Sequence, residues 1–133
     1  MRGVRKLAPE HVATLEDGKA YGVVATVGAD GRPQTSIVWV DTDGENLVFN
    51  TTNARAKARN LRERPWVSVT VWANVDPTSY FEVQGVAELD EEGAADHIEK
   101  LSQRYDGHPF DRPVDRVIVR VRPERVFDHG IAE

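Results

Sequence analysis

The sequence predicts a mainly β protein in which six antiparallel strands form one sheet curled into a barrel. Six runs rich in valine, isoleucine or aromatic residues alternate with polar residues, which is typical of strands that bury one face. Glycine, aspartate and asparagine cluster between several of these runs, and such short turns connect antiparallel rather than parallel strands. A chain of 133 residues has room for one hydrophobic core, so we expect a single domain over residues 1–133.

The first half of the chain predicts a short helix, three strands in a meander and a second helix. Apolar residues near helical spacing place the first helix at Leu7–Asp17. The strands are predicted at Tyr21–Val27, Arg32–Val40 and Leu47–Asn50, with residues 41–44 as a turn. Residues 53–64 lack β-branched residues and predict the second helix, capped by Thr52 or Asn53 and ended by Pro65.

The second half predicts two strands, a third helix and a last strand. The two strands are Trp66–Trp72 and Tyr80–Leu89, joined by a loop that contains Asn74 and Pro77. Acidic residues at 90–92 favour a helix start, and an apolar stripe follows them at Ala94, Ile98, Leu101 and Tyr105. The sixth strand is predicted at Arg116–Arg122, with Pro123 ending it and a short extension at 125–127.

The composition excludes several classes of function. The chain has no cysteine, which excludes disulfides, thiolate metal sites and thiol catalysis. A net charge of −5 disfavours a general nucleic-acid-binding protein. No apolar segment is long enough for a signal peptide or a membrane span, so we expect a cytoplasmic protein. The four histidines have no metal-ligand spacing and no Ser, His and acid set is recognisable, so no catalytic residue is assigned.

A polar and basic segment at the start of the second helix carries the clearest chemical signal. Asn50, Thr51 and Thr52 end a strand, and Arg55 and Lys57 follow within the first turns of the helix. Basic residues are unfavourable at a helix N-terminus, where the helix dipole already presents positive charge. A bound phosphate would correct this mismatch. The alternative is a solvated helix face that also includes the later arginines, and charge alone does not decide between the two.

Two further segments could contact a planar ligand. Alternation places Gln34 and Ser36 on the same strand face as Val38 and Val40, where amide, hydroxyl and apolar groups could orient a heterocycle. An ordinary strand with its polar side in water is the favoured alternative for that pattern. Trp66 and Trp72 share a face of the fourth strand, and Tyr80 begins the fifth. Such aromatics indicate an interface, a ligand wall or plain core packing.

The order of these motifs resembles the pyridoxine 5′-phosphate oxidase-like split-barrel superfamily over residues 7–127. The resemblance is carried by Gly22–Thr26, Asp30–Gln34 with Ser36, Asn50–Thr52, and Arg55–Leu61 with Pro65. Within the superfamily, the chain is most similar to the branch that uses the deazaflavin coenzyme F420, in which Arg-x-Lys-x-x-Asn-Leu follows the third strand. Relatives that bind FMN also carry basic residues there. The fold that the resemblance implies is a six-stranded antiparallel split β-barrel.

The resemblance also implies a cofactor site and a homodimer. Arg55, Lys57 and Asn60 would hold the cofactor phosphate or its acidic tail. The residues that would border the ring are Gln34, Thr35 and Ser36, and those that would line the path between ring and phosphate are Asn50, Thr51 and Thr52. The cofactor would lie in a groove between two subunits. The residues that the partner subunit would supply are Trp72, Ser79 and Tyr80.

The activity implied is that of an F420-dependent oxidoreductase. It would transfer a hydride between F420 and an unsaturated small molecule such as an enone, a quinone or a tetrapyrrole, and the cofactor would carry the chemistry. Three alternatives stay open at this point: an FMN-binding oxidoreductase, a non-enzymatic protein that binds flavin, haem or a tetrapyrrole, and a split barrel kept as a structural or dimerisation module.

Overall fold

The computed structural model describes residues 3–73, 76 and 78–132, and the predicted loop residues Asn74 and Pro77 lie outside this part of the chain. The helices are α1 (Pro9–Glu16), α2 (Ala56–Glu63) and α3 (Ala94–Tyr105). The strands are β1 (Tyr21–Val27), β2 (Pro33–Trp39), β3 (Asp41–Thr42), β4 (Leu47–Thr52), β5 (Trp66–Trp72), β6 (Tyr80–Asp90) and β7 (Arg116–His129). No helix among the described residues is long and apolar enough to cross a membrane.

All the strands belong to one antiparallel sheet with the order β2-β1-β5-β6-β7-β4-β3. Only Val40 separates β2 from β3, so the two edges of the sheet are consecutive in the chain and the sheet must curl to bring them together. This curled sheet with three helices confirms the predicted split-barrel fold class. The interior is apolar because alternate residues of each strand point into it.

The strand register aligns valines across the core. Val24 on β1 pairs with Val69 on β5, and Val69 pairs with Val83 on β6. All three are almost completely buried, as are Phe49 and Phe81. Burying a side chain of this size stabilises the fold by roughly 1.5–3 kcal/mol. The predicted alternation of apolar and polar residues on β5 and β6 is therefore a feature that builds the core.

The sheet has seven strands where six were predicted, because residues 41–42 are not part of a turn. Asp41 pairs with Val48 and Thr42 pairs with Leu47. The turn itself lies one step later, where the carboxylate of Asp43 accepts hydrogen bonds from two backbone N–H groups. The added strand is two residues long and leaves the predicted topology of the others unchanged.

The predicted N-caps of α2 are wrong. The helix begins at Ala56, and its N-cap is Arg55, which has an extended backbone and makes no side-chain capping bond. Thr52 is still part of β4. Asn53 bonds instead to Asp115, both through its backbone N–H at 3.0 Å and through its side-chain amide at 3.1 Å. This segment is tied to the start of β7, so the helix starts later than its composition suggests.

Pro123 does not end the last strand, which continues to His129. A register shift between Gln84 and Gly85 on β6 lies opposite the proline, which has no N–H to donate to the ladder. A Cβ placed on Gly85 would lie 2.0 Å from the carbonyl oxygen of Arg122. The bulge therefore requires glycine at that position, and it lets β6 and β7 stay paired past the proline.

Candidate functional site

A cavity of about 320 Å³ opens between the β2 edge, the end of β4, the start of α2 and the loop before β7. It is lined by Tyr21, Ile37, Val38, Trp39, Asn50, Thr51, Arg55, Lys57, Ile98, Leu101, Phe110 and Arg116. One part of this lining is cationic and another part is aromatic. Four of the sequence-predicted site residues are thereby brought together: Asn50, Thr51, Arg55 and Lys57.

Arg55, Lys57 and Arg116 form the cation cluster of the cavity. Lys57 is only 8% exposed although it carries a charge. In residues 3–73, 76 and 78–132, no carboxylate pairs with any of these three side chains, and those of Arg55 and Lys57 make no hydrogen bond. Burial of a charge without a partner is unfavourable, so an anionic group at this position would fit the residues present.

The electrostatics of the cluster agree with that conclusion. Burial lowers the pKa of Lys57, and the positive charges of Arg55 and Arg116 lower it further. Burial also lowers the pKa of Arg116, again helped by Arg55. Each cation therefore disfavours the charged form of its neighbours, and a phosphate or carboxylate bound among them would relieve the repulsion.

Arg116 reaches the cluster because of strand register. It is the first residue of β7 and pairs with Thr52, the last residue of β4. Its Nε donates to Asn50 Oδ1 at 2.8 Å, and its guanidinium carbon lies 5.0 Å from the centre of the Phe110 ring. The guanidinium is thus held on two sides, with its terminal nitrogens left for a ligand.

Tyr21, Trp39 and Phe110 form the aromatic wall of the cavity. The Trp39 ring stacks on Tyr105 with centroids 5.3 Å apart and planes at 8°, and Phe110 meets Trp39 edge-on at 6.4 Å. The Tyr105 hydroxyl donates to the carbonyl of Ala20 at 2.6 Å, and burial raises the pKa of Tyr105 to about 12. Tyr105 thus fixes Trp39 from behind, and a flat apolar surface faces the cavity.

Only the last part of β2 lines the cavity, and it does so with residues of both strand faces. Ile37, Val38 and Trp39 line it, whereas Gln34 and Thr35 are exposed near the start of the strand and Ser36 is half-buried. Val40, which was expected to contact the ligand on the same face as Gln34 and Ser36, is completely buried in the core. That side of β2 turns into the barrel only from Val38 onward, and that Gln34, Thr35 and Ser36 border a cofactor ring stays a prediction.

The remaining predicted residues lie outside the cavity lining. The Asn60 amide donates to the Thr26 hydroxyl at 3.0 Å and so joins α2 to β1. Thr52 is half-buried beside the cavity. The Trp72 ring lies 6.1 Å from that of Tyr21 in the aromatic wall, Tyr80 stacks on His129 at 4.7 Å, and the Ser79 hydroxyl donates to Asp76 at 3.0 Å. That a partner subunit supplies Trp72, Ser79 and Tyr80 stays a prediction.

Sequence reasoning missed Arg116 and the aromatic wall as site residues. No local motif marks Arg116, since its place at the cavity depends on the pairing of β7 with β4. Trp39 did carry a signal, because alternation put it on the strand face opposite Val38 and Val40. A large aromatic on the outer face of an edge strand is a sign of a ligand wall or an interface.

Comparison with known proteins places this geometry in a family. The family model for pyridoxamine 5′-phosphate oxidase matches residues 7–130. A solved F420 reductase is 37% identical, with 90% of this chain and 98% of that chain covered and a TM-score of 0.77. A conserved hypothetical protein from Mycobacterium tuberculosis is 28% identical, with 92% and 86% covered and a TM-score of 0.72.

A protein from Listeria innocua described as a candidate pyridoxamine 5′-phosphate oxidase is 25% identical, with 87% of this chain and 92% of that chain covered and a TM-score of 0.67. These matches extend over nearly the whole described sheet and include the segment that carries Arg55 and Lys57. The chain therefore belongs to the pyridoxamine 5′-phosphate oxidase family of split barrels, and its similarity to an F420 reductase relates it to the F420 branch.

Proposed function

We propose that this protein is an F420-dependent oxidoreductase that transfers a hydride between the deazaflavin and an unsaturated small molecule such as an enone, a quinone or a tetrapyrrole. The observation that carries the proposal is the cation cluster, in which Lys57 is buried without an anionic partner in the described part of the chain. Membership of a family of oxidoreductases and 37% identity to an F420 reductase support F420 as the anionic ligand of the cluster.

Different parts of the cavity would bind different parts of the cofactor. Arg55, Lys57 and Arg116 would bind the phosphate and the acidic tail by charge-assisted hydrogen bonds. The aromatic wall would contact the ring system and keep water from one of its faces. When bound, F420 would supply the carbon that gives or accepts the hydride, so the protein's own task is binding and orientation.

A titration with both candidate cofactors tests the proposal. We expect F420 to bind at least about tenfold more tightly than FMN, as measured by F420 fluorescence and by calorimetry. Reduced F420 should then be consumed when an enone, a quinone or a tetrapyrrole is added. Tighter FMN binding would make the protein an FMN oxidoreductase. F420 binding without turnover would favour a non-enzymatic binding protein, and no affinity for either would leave a structural module.

We also propose that the protein is a homodimer with the cofactor between its subunits. The outer face of the β2-β1-β5 part of the sheet carries exposed apolar side chains and reaches the cavity at Ile37, which is 67% exposed. Trp66 on the same face is 64% exposed. An exposed apolar surface of this kind indicates a protein contact, and a second copy seated there would cover the open side of the cavity.

Light scattering tests the dimer. Wild-type protein should have twice the 14.9 kDa mass of the chain, and Trp66→Glu should shift it toward the monomer because the new charge would be buried in the interface. Val114→Glu is a control that puts the same charge on another exposed apolar residue, since Val114 is 75% exposed in the loop before β7. A wild-type protein that stays monomeric at micromolar concentration would refute the shared groove.

A further inference from the structure

A continuous chain of hydrogen bonds runs from the cavity to the interior beneath α3. Arg116 Nε donates to Asn50 Oδ1 at 2.8 Å, and Asn50 Nδ2 lies 3.0 Å from His97 Nδ1. His97 Nε2 lies 3.0 Å from Asp41 Oδ2. We propose that His97 is a positioning residue that acts through Asn50 to hold Arg116 in the orientation that binds the cofactor's anionic groups. This proposal rests on the proposed function.

The direction of every bond in this chain is fixed by its neighbours. The Asn50 amide nitrogen also donates to the carbonyl of Ala94 at 3.0 Å, so both of its protons are used and His97 Nδ1 must accept. His97 Nε2 then carries the proton and donates to Asp41. Because the amide cannot reverse without losing both bonds, its oxygen always faces Arg116.

Asp41 anchors the inner end of the chain. It is almost completely buried, and its carboxylate accepts hydrogen bonds from Arg104 at 2.8 Å and from Lys100 at 2.9 Å. With both oxygens occupied by donors, the carboxylate holds the His97 ring in one tautomer and one orientation. The orientation of a cavity side chain is thereby set by groups on β3 and α3.

The hydrogen bond to Asn50 matters for the orientation of Arg116 because Arg116 lies in a cluster of like charges. Lys57 and Arg55 repel it, and burial already disfavours its charge, yet the bond to Asn50 and the ring of Phe110 keep it at the cavity. Without the Asn50 oxygen, the guanidinium would be free to turn toward solvent and away from the other cations. A cation fixed before the ligand arrives loses less conformational entropy on binding.

The first test needs no ligand. In a ¹⁵N spectrum of the whole protein, the Arg116 Nε–H signal, assigned by its loss in Arg116→Ala, should be protected from exchange. His97→Leu should shift that signal toward those of exposed arginines. His108→Leu is the matched control, since His108 is exposed and should leave the signal in place. An unchanged signal in His97→Leu would refute the support of Arg116 by His97.

The second test is a double-mutant cycle on F420 affinity. We expect Arg116→Ala to weaken binding roughly tenfold and His97→Leu about fivefold. In the Arg116→Ala background, His97→Leu should change the affinity less than about twofold, since it acts only through Arg116. If the affinity losses of the two single variants multiply in the double variant, His97 does not act through Arg116 and the positioning role is refuted. F420 binding by the wild type would still leave the proposed function intact.

Two conservative variants separate positioning from general stability. His97→Asn places an amide near the position of Nδ1 and should restore most of the affinity, whereas His97→Gln reaches toward Asp41 instead and should not. If both variants bind alike after their unfolding temperatures are matched, the proposal is wrong. Should the wild type not bind F420, the proposed function fails, and the same cycle with inorganic phosphate then decides the positioning role by the same criterion.

Discussion

Replacing Lys57 by Met should weaken F420 binding about 10- to 100-fold and, in the same variant, stabilise the fold by about 1 kcal/mol. The loss of affinity follows from removing a charge-assisted hydrogen bond at the centre of the cation cluster. The gain in stability follows because Lys57 is 8% exposed and has no anionic partner in the described residues. Methionine keeps the apolar stem and removes the charge.

The pH dependence of stability gives an independent check on that variant. Burial first, and then Arg55 and Arg116, lower the pKa of Lys57 below its ordinary 10.5. The folded state therefore holds this proton less tightly than the unfolded state, and the charge opposes folding at neutral pH. The penalty falls as the pH rises above the lowered pKa, and it is gone above the ordinary 10.5. Urea unfolding should show the advantage of Lys57→Met at pH 7 shrinking toward pH 10.

Lys19→Met is the control for both measurements. Lys19 is exposed and lies outside the cavity, so its replacement should change neither the affinity nor the unfolding free energy by more than a few tenths of a kcal/mol. Lys57→Met would contradict the model of the site if it lost stability while keeping its affinity, because Lys57 would then be a structural residue.

The strands that build the core were predictable because their signal is local. Alternating valines on β5, and the alternating Phe81, Val83 and Ala87 on β6, specify which face of the sheet is buried. The end of β7 was not predictable in the same way. Whether Pro123 stops the strand depends on a register shift against Gln84 and Gly85 of the partner strand, which lie far away in the sequence.

Some residues of the candidate site could likewise be predicted from a local pattern, and others could not. Arg55 and Lys57 follow a polar strand end in one short segment, and their electrostatic mismatch with the helix start is visible from the sequence. The motif spacing could not show that Asn60 points to Thr26. Arg116 comes to the cavity only through the pairing of β7 with β4, which no local pattern encodes.

Replacing Asp41 by Ala should lower the unfolding free energy by about 3 kcal/mol at pH 7. The carboxylate is almost fully buried and accepts from His97, Arg104 and Lys100, so its removal leaves three donors around a small void. Asp106→Ala, at an exposed position after α3, should cost much less. An equal loss in the two variants, measured by urea unfolding, would show that the Asp41 cluster contributes little.

The dependence of the unfolding free energy on acid pH should identify the Asp41 carboxylate as the cause of this loss of stability. Burial alone would raise the pKa of Asp41, but hydrogen bonds from His97, Arg104 and Lys100 outweigh it and hold the pKa well below its ordinary 3.8. The contribution is therefore complete above that ordinary value and is lost as the pH falls below it toward the lowered one. The stabilities of wild type and Asp41→Ala should begin to approach each other below about pH 4 and draw closer as the pH falls further. Since Lys57→Met should gain stability where Asp41→Ala loses it, buried charge stabilises this fold only where the chain itself supplies the counter-charge.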